Sequence, residues 1–371
     1  MKFSPIIKAT AAFGIAALAL TGCAANEKPA ENKGGGDNKP AAASNLSGEL
    51  KGAGASSQKA AQEVWVKQFQ TAHTKVTVNY APDGSGAGRE KFQQNGVAFA
   101  GSDRAFKKEE LDKGGFGACV EGTPLVEFPA YISPIAVVFN VQGVKSLNLD
   151  AKTIAGIFSG KIKKWNDPAI VSQNKDAKLP DADITPVHRS DKSGTTENFT
   201  DYLNAVAPDA WTHKKSEEWP QELGGAAAKG TSGVIDTVKK GVGTIGYADA
   251  SLAGDLGTAK IKVGEKYVAY SPEAAAAAID ASKIEEGRKE TDLAYKLDRK
   301  LKDEKTYPLV LVSYLIGCSD YKEDVKAALV KEYFKQIISP EGQKEASKVA
   351  GNAPLSSTLT DKIKKIVEGI K

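Results

Sequence analysis

The chain has 371 residues, a formal net charge of +4, three cysteines and three histidines. That length exceeds one typical domain and fits two lobes around separate cores. Two of the positive charges, Lys2 and Lys8, lie at the very start, so nucleic-acid binding has no compositional support and any anion recognition must come from local geometry.

The apolar run 11–20 is too short to span a bilayer but suits the core of a signal peptide. It ends in Leu20-Thr21-Gly22-Cys23, which resembles a bacterial lipobox. This predicts a lipoprotein signal peptide over 1–22, cleavage before Cys23, and acylation of its sulfur (diacylglycerol, palmitate). The protein would then be exported and anchored on the outer face of the cell membrane. Residues 23–47 are mostly Ala, Asn, Lys, Glu, Gly and Pro. Such a stretch buries too little surface to offset its conformational entropy, so it reads as a flexible tether. The folded part starts at about Gly48, and no later segment is apolar enough to cross a membrane.

Beyond the tether, short strands alternate with helices, which points to an α/β fold. Residues 48–51 read as a strand entering Gly52-Ala53-Gly54-Ala55-Ser56-Ser57, and a helix follows with Ala61, Val64, Trp65 and Phe69 on one face. Val76, Val78 and Tyr80 alternate as a strand that enters Asp83-Gly84-Ser85-Gly86-Ala87-Gly88, with a helical turn over 89–94. A strand over 97–101 leads to Asp103. Cys119 and Cys318 remain once Cys23 is assigned to the anchor; in an oxidising compartment two such cysteines commonly pair, the alternative being two buried thiols. The run 161–167, Lys-Ile-Lys-Lys-Trp-Asn-Asp, has one aromatic among three lysines and reads as a solvated turn. A strand over 184–188 then enters Arg189-Ser190-Asp191-Lys192-Ser193-Gly194-Thr195, and the next helix carries Phe199, Tyr202, Leu203 and Val206.

One pattern thus occurs three times: strand, small-residue loop, helix. A helix start offers free N–H groups and partial positive charge to an oxyanion. Glycine lets backbone approach the ligand, and Ser or Thr adds a hydroxyl. Any one loop alone is more often a plain cap. Three together, one carrying Arg189 with its permanently charged fork, favour an oxyanion site. Two carboxylates look misplaced there. Asp103 beside an anion makes sense if the anion carries a proton, because an ionised carboxylate only accepts hydrogen bonds. Phosphate near neutral pH has that proton and sulfate does not, so Asp103 would admit one and repel the other. The plainer alternatives are a helix cap or surface acid for Asp103. For Asp191 the favoured role is a partner that orients Arg189.

No nucleophile elbow and no phosphate-binding P-loop is present; Gly230-Thr231 follows Lys229, the wrong order for the latter. His73, His188 and His213 show no metal-ligand spacing. His188 either tunes the site through its neighbour Arg189 or is an ordinary strand residue.

The residues resemble the phosphate-binding protein family of the bacterial Pst ABC transporter, with an actinobacterial flavour. The resemblance runs from about Gly48 to Leu355 and rests on 52–56, 84–86, 101–103, 160–165, 189–195 and 243–247. It implies a periplasmic-binding-protein-like fold (type II): two lobes, each a central mixed sheet flanked by helices, hinged by strands crossing near 131–140 and 306–316. Lobe I would be 48–133 plus 309–371, and lobe II 134–308. It implies high-affinity binding of inorganic phosphate, with no cofactor or metal and no catalysis, and delivery to the permease subunits, the protein being a monomer. The phosphate contacts would be Ser56, Ser57, Ser85, Asp103, Arg189, Ser193, Gly194 and Thr195, with Ser57 acting through its backbone N–H. Cys119 and Cys318 would flank the crossings. Arg104 departs from the family pattern, where a small residue is common; it would add positive potential at the cleft rim or face solvent. The other readings are a sulfate or molybdate binder, a secreted phosphohydrolase, and a surface adhesin or antigen.

Overall fold

The computed structural model describes residues 46–371. The expected signal peptide, Cys23 and the tether as far as residue 45 lie outside the described residues.

Three parallel strands open the fold: β1 (Gly48–Gly54), β2 (Val76–Ala81) and β3 (Phe99–Ser102), with β1 in the middle. The alternation of Val76 and Val78 with polar residues buries one face of β2. The helix Lys59–Ala72 covers that sheet through Ala61, Trp65 and Phe69, which recur at helical spacing. Next comes β4 (Leu125–Asn140), sixteen residues of which all but Asn140 are buried. A strand buried on both faces over that length cannot belong to a sheet with a wet face.

The middle of the chain forms β5 (Ser146–Leu149), β6 (Thr185–Arg189), β7 (Ala226–Ala228), β8 (Thr244–Asp249), β9 (Gly257–Val263) and β10 (Lys266–Val268). In it β6 lies parallel between β7 and β8. A hairpin of β11 (Lys283–Ile284) and β12 (Tyr295–Lys296) follows, and then β13 (Val310–Cys318), which enters the first sheet between β3 and β4.

The hinge is legible in the pairing of β4. Residues 125–134 pair with β13, whereas residues 135–140 pair with β8. One strand therefore belongs to both lobes, changing partner between Pro134 and Ile135. The sheets are joined through it, and the main apolar core runs on through Tyr131, Ile135, Val137 and Leu311. Separate cores, expected from length, are thus replaced by one continuous core. A smaller cluster of Ala136, Val138, Val187, Val234 and Val238 sits under the helix Gly230–Lys240. The segment leading into β12 returns to the first half of β4: Glu127 N donates to Thr291 O at 2.9 Å and Leu293 N to Glu127 O at 2.7 Å. Cys119 and Cys318 are joined by a disulfide, and both are buried.

The lysine–tryptophan run differs from a solvated turn. Its lysines are exposed, but Trp165 is fully buried, donating Nε1–H to Gly243 O at 3.1 Å and packing on Phe139. A buried indole commonly spends its single donor on a backbone carbonyl in this way.

Candidate functional site

Four helix starts converge between the two halves. After β1 the chain makes a tight turn at Ser56–Gln58 into the helix Lys59–Ala72. After β2 comes the helix Ser85–Gln93, entered through Gly84 at φ 103°. After β6 comes the helix Gly194–Val206, whose cap Ser193 accepts from Thr196 N at 3.1 Å. The fourth follows β7: the helix Gly230–Lys240, entered through Gly230 at φ 69°. The starts are brought together by contacts of Ser56 with Thr231 and of Asp103 with Ser85 and Thr195, and helix starts favour a nearby anion.

The halves touch closely around it. Thr231 N donates to Ser56 Oγ at 3.0 Å, and Gly86 N donates to Lys192 O at 3.1 Å. A Cβ on Gly194 would sit 2.7 Å from Asp103 Cβ and 2.8 Å from Ser85 Oγ, and one on Gly84 would sit 2.3 Å from Asp191 Oδ2. Real Cβ atoms do not approach that closely, so these glycines are what allow the loops to meet.

Asp103 is the hub. It is 3% exposed, and its side chain accepts from Ser57 Oγ at 2.5 Å, Ser313 Oγ at 2.6 Å and Thr195 Oγ1 at 2.7 Å. Its main chain is held too: Asp103 N donates to Ser85 Oγ at 3.1 Å, and Asn198 Nδ2 donates to Asp103 O at 2.7 Å. So many donors keep a buried carboxylate from being costly. Asp103 is no helix cap, since the next helix, Lys108–Lys113, is capped at Lys107.

Arg189 is likewise buried. Its Nε and Nη2 donate to the two oxygens of Asp191 at 2.7 and 2.5 Å, a bidentate pair that does not use Nη1. Gly230 N also donates to Asp191 Oδ1 at 3.0 Å. Burial alone would raise the Asp191 carboxyl, but the hydrogen bonds and charge of Arg189 outweigh it and hold it below the usual aspartate range. Two carboxylates thus stand against one guanidinium at the centre, a formal balance of −1. Attraction for an anion must therefore come mainly from oriented N–H and O–H dipoles, which suits an anion able to donate a proton to Asp103.

Ser56, Ser57, Ser85, Asp103, Arg189, Ser193, Gly194 and Thr195 are all buried, and the contacts above bring them together from both halves. Ser57 uses its hydroxyl on Asp103, a role beyond the expected backbone N–H. His188 stacks on Trp219, with ring centroids 5.0 Å apart; burial lowers its pKa, so it packs as a neutral residue. Arg104 does not simply face solvent; it lines a pocket between the halves together with Asp103, Glu197 and Lys215. It is 9% exposed and engages Glu110, Glu197 and Glu217.

Sequence reasoning missed Thr231, Ser313 and Asn198. Thr231 had a readable signal, because Ala226–Ala228 followed by Gly230-Thr231 is a fourth strand–glycine–helix unit. Ser313 lies inside an apolar strand and Asn198 inside a helix, so only the fold brings them to Asp103.

Two α/β halves hinged by a shared strand, with Asp103, Arg189 and buried serine and threonine hydroxyls between them, define a binding protein of the solute-receptor class. The model of the PBP superfamily domain matches residues 39–341. The chain is 32% identical to the phosphate-binding protein PstS2 of Mycobacterium bovis over 378 residues, covering 100% of both chains. It is 33% identical to the phosphate-binding protein PstS 3 of Mycobacterium tuberculosis over 346 residues, 91% of this chain and 92% of the other. In fold it is similar to a high-affinity periplasmic phosphate-binding protein solved with phosphate bound, with a TM-score of 0.67, 20% identity, and 86% and 93% of the two chains covered. A phosphate-binding protein from Stenotrophomonas maltophilia gives a TM-score of 0.62 at 20% identity over 86% and 93%. The chain belongs to the PBP superfamily and, within it, to the PstS family.

Proposed function

We propose that the protein binds inorganic phosphate outside the cytoplasm and delivers it to the permease of a Pst-type ABC transporter, as a binding protein and not an enzyme. The observation that carries this reading is the meeting of a buried proton acceptor, Asp103, with the 189–195 loop through the 2.7 Å bond from Thr195. In this reading Ser56, Ser57, Ser85, Ser193, Gly194 and Thr195 supply N–H and O–H donors, Arg189 supplies the fixed charge, Asp191 orients it, and Asp103 accepts the proton of the anion. Preorganised charge-assisted bonds give tight binding without a metal.

Equilibrium dialysis with radiolabelled phosphate at neutral pH tests it. Saturable binding of one phosphate per chain is expected, with sulfate and molybdate failing to compete. Absence of saturable binding rejects the reading, and displacement by sulfate moves it to another oxyanion.

The reading extends to the chain as a whole: a monomer with lobe I at 48–133 plus 309–371 and lobe II at 134–308. The change of partner in β4 after Pro134 supports that division. It also includes a signal peptide over 1–22 and a lipid anchor at Cys23 on the outer face of the cell membrane, supported by the residues 20–23. Radiolabelled palmitate should enter the wild-type protein in cells and not Cys23→Ser.

A further inference from the structure

A second buried charge cluster spans the cleft beside the proposed phosphate contacts. From the first half, Arg89 Nη2 donates to both oxygens of Glu217 at 2.6 and 2.7 Å, and Arg104 Nη2 donates to Glu217 Oε2 at 2.9 Å. Arg104 also grips Glu110 at 2.6 and 2.9 Å and lies 3.2 Å from Glu197. The side chains of Arg89, Arg104 and Glu217 are 4%, 9% and 12% exposed. Burial pushes the Glu217 carboxyl up, but the two guanidiniums outweigh it and hold it below the ordinary glutamate range. Both arginines are thus occupied by carboxylates.

Each end of the cluster is tied to a loop of the proposed site. Arg89 Nη1 donates to Ser102 Oγ at 2.6 Å, and Ser102 Oγ donates to Arg104 O at 2.6 Å, so the pair brackets Asp103. On the other side, Ser193 N donates to Glu217 O at 3.0 Å. The helix carrying Arg89 also starts at Ser85.

We propose that Glu217 is a positioning residue, a latch by which the second half grips Arg89 and Arg104 of the first, so that it sets how long a captured phosphate stays. This rests on the phosphate-binding reading. An anion closing the cleft brings Glu217 to the arginines, and the ion cluster then holds the closed form together with the ligand. Contacts made only in one conformation bias the equilibrium by their own free energy, and a buried, hydrogen-bonded charge pair acts mainly on the dissociation rate.

Glu217→Gln keeps the shape and removes the charge; Arg104→Gln, a shorter side chain, removes the charge from the other side. Stopped-flow release of phosphate into a phosphate scavenger should be faster by ~10-fold or more in each variant, with association within about threefold of wild type. The double variant should lose less than the sum of the two, as expected of partners in one network. Small-angle scattering without phosphate should show a larger radius of gyration for Glu217→Gln than for wild type. Unchanged release in both variants overturns the proposal. So does tighter binding in Glu217→Gln, which would make the arginines anion ligands held back by the glutamate. Loss of the native fold in both would make the cluster a folding element and overturn it as well. If wild type binds no phosphate, the functional reading fails, and the scattering still tests the latch itself.

Discussion

Replacing Asp103 by asparagine separates the two jobs given to this carboxylate. In the protein it accepts from Ser57 and Ser313 on Oδ1 and from Thr195 on Oδ2. Asparagine keeps one acceptor oxygen and turns the other position into a donor, so one hydroxyl must reverse its bond. Losing one hydrogen bond to a charged acceptor costs on the order of 1–3 kcal/mol of stability, a loss a protein of this size survives with a melting point a few degrees lower. Selectivity should change far more. Unit like charges about 4 Å apart repel by ~4 kcal/mol at an effective dielectric of ~20, and sulfate is spared that repulsion in the variant. Phosphate at the same time loses an acceptor for its proton, a loss of roughly 1.5–3 kcal/mol. Halving the sum for relaxation and water still leaves a drop in the phosphate-to-sulfate affinity ratio of roughly a hundredfold or more. Competition calorimetry at pH 7 reads that ratio directly. A ratio within threefold of wild type, in a variant that melts cooperatively, would refute the proton-acceptor role.

Two further predictions concern stability. Asp249 is fully buried at the hinge, with Oδ2 accepting no hydrogen bond, and burial pushes its carboxyl from 3.8 up to about 6 despite bonds from its neighbours. The folded protein therefore holds a proton that the unfolded chain releases. Stability should fall as pH rises across that interval and stay reduced above it, by ~3 kcal/mol. Asp249→Asn retains an acceptor for Tyr131 Oη and Ser251 N, bonds of 3.0 Å each; it should melt higher than wild type at pH 7.5 and lose that pH slope, whereas an equal or lower melting point there contradicts the argument. Cys318→Ser opens a cross-link between residues 199 apart, and urea unfolding should show a loss of about 2–5 kcal/mol; a loss below about 1 kcal/mol would mean that the bond constrains little.

The parts of the fold readable in the sequence are those fixed by neighbours along the chain. The glycine loops, the helix starting at Gly194 and the alternation of Val76 and Val78 needed only local sterics and periodicity. Even there the boundaries moved: β1 runs to Gly54 because its parallel partners pair that far, Gly52 with both Tyr80 and Phe99. Trp165 was misread because three exposed lysines around it hide an indole that points inward. The surroundings of Arg104 were hidden for a different reason. Glu110 is a neighbour along the chain, but Glu197 and Glu217 reach it only because the halves meet. Ser313 could not be found from an apolar strand without knowing that β13 lies beside β3.

That placement of β13 has a further consequence. Strands β3 and β4 are close in sequence, but the strand that fills the gap between them comes from residues 310–318, antiparallel to both. On a chain emerging from its amino terminus, the first sheet stays one strand short while the whole second half is made. Until then β3 and β4 each present an open edge, the kind of surface that recruits other chains. Long-range pairing of this sort is slow to form. A truncation anywhere before residue 310 therefore does more than remove a tail: it leaves an unfinished sheet near the start of the folded chain, and the product should aggregate and not accumulate as a half-size soluble lobe.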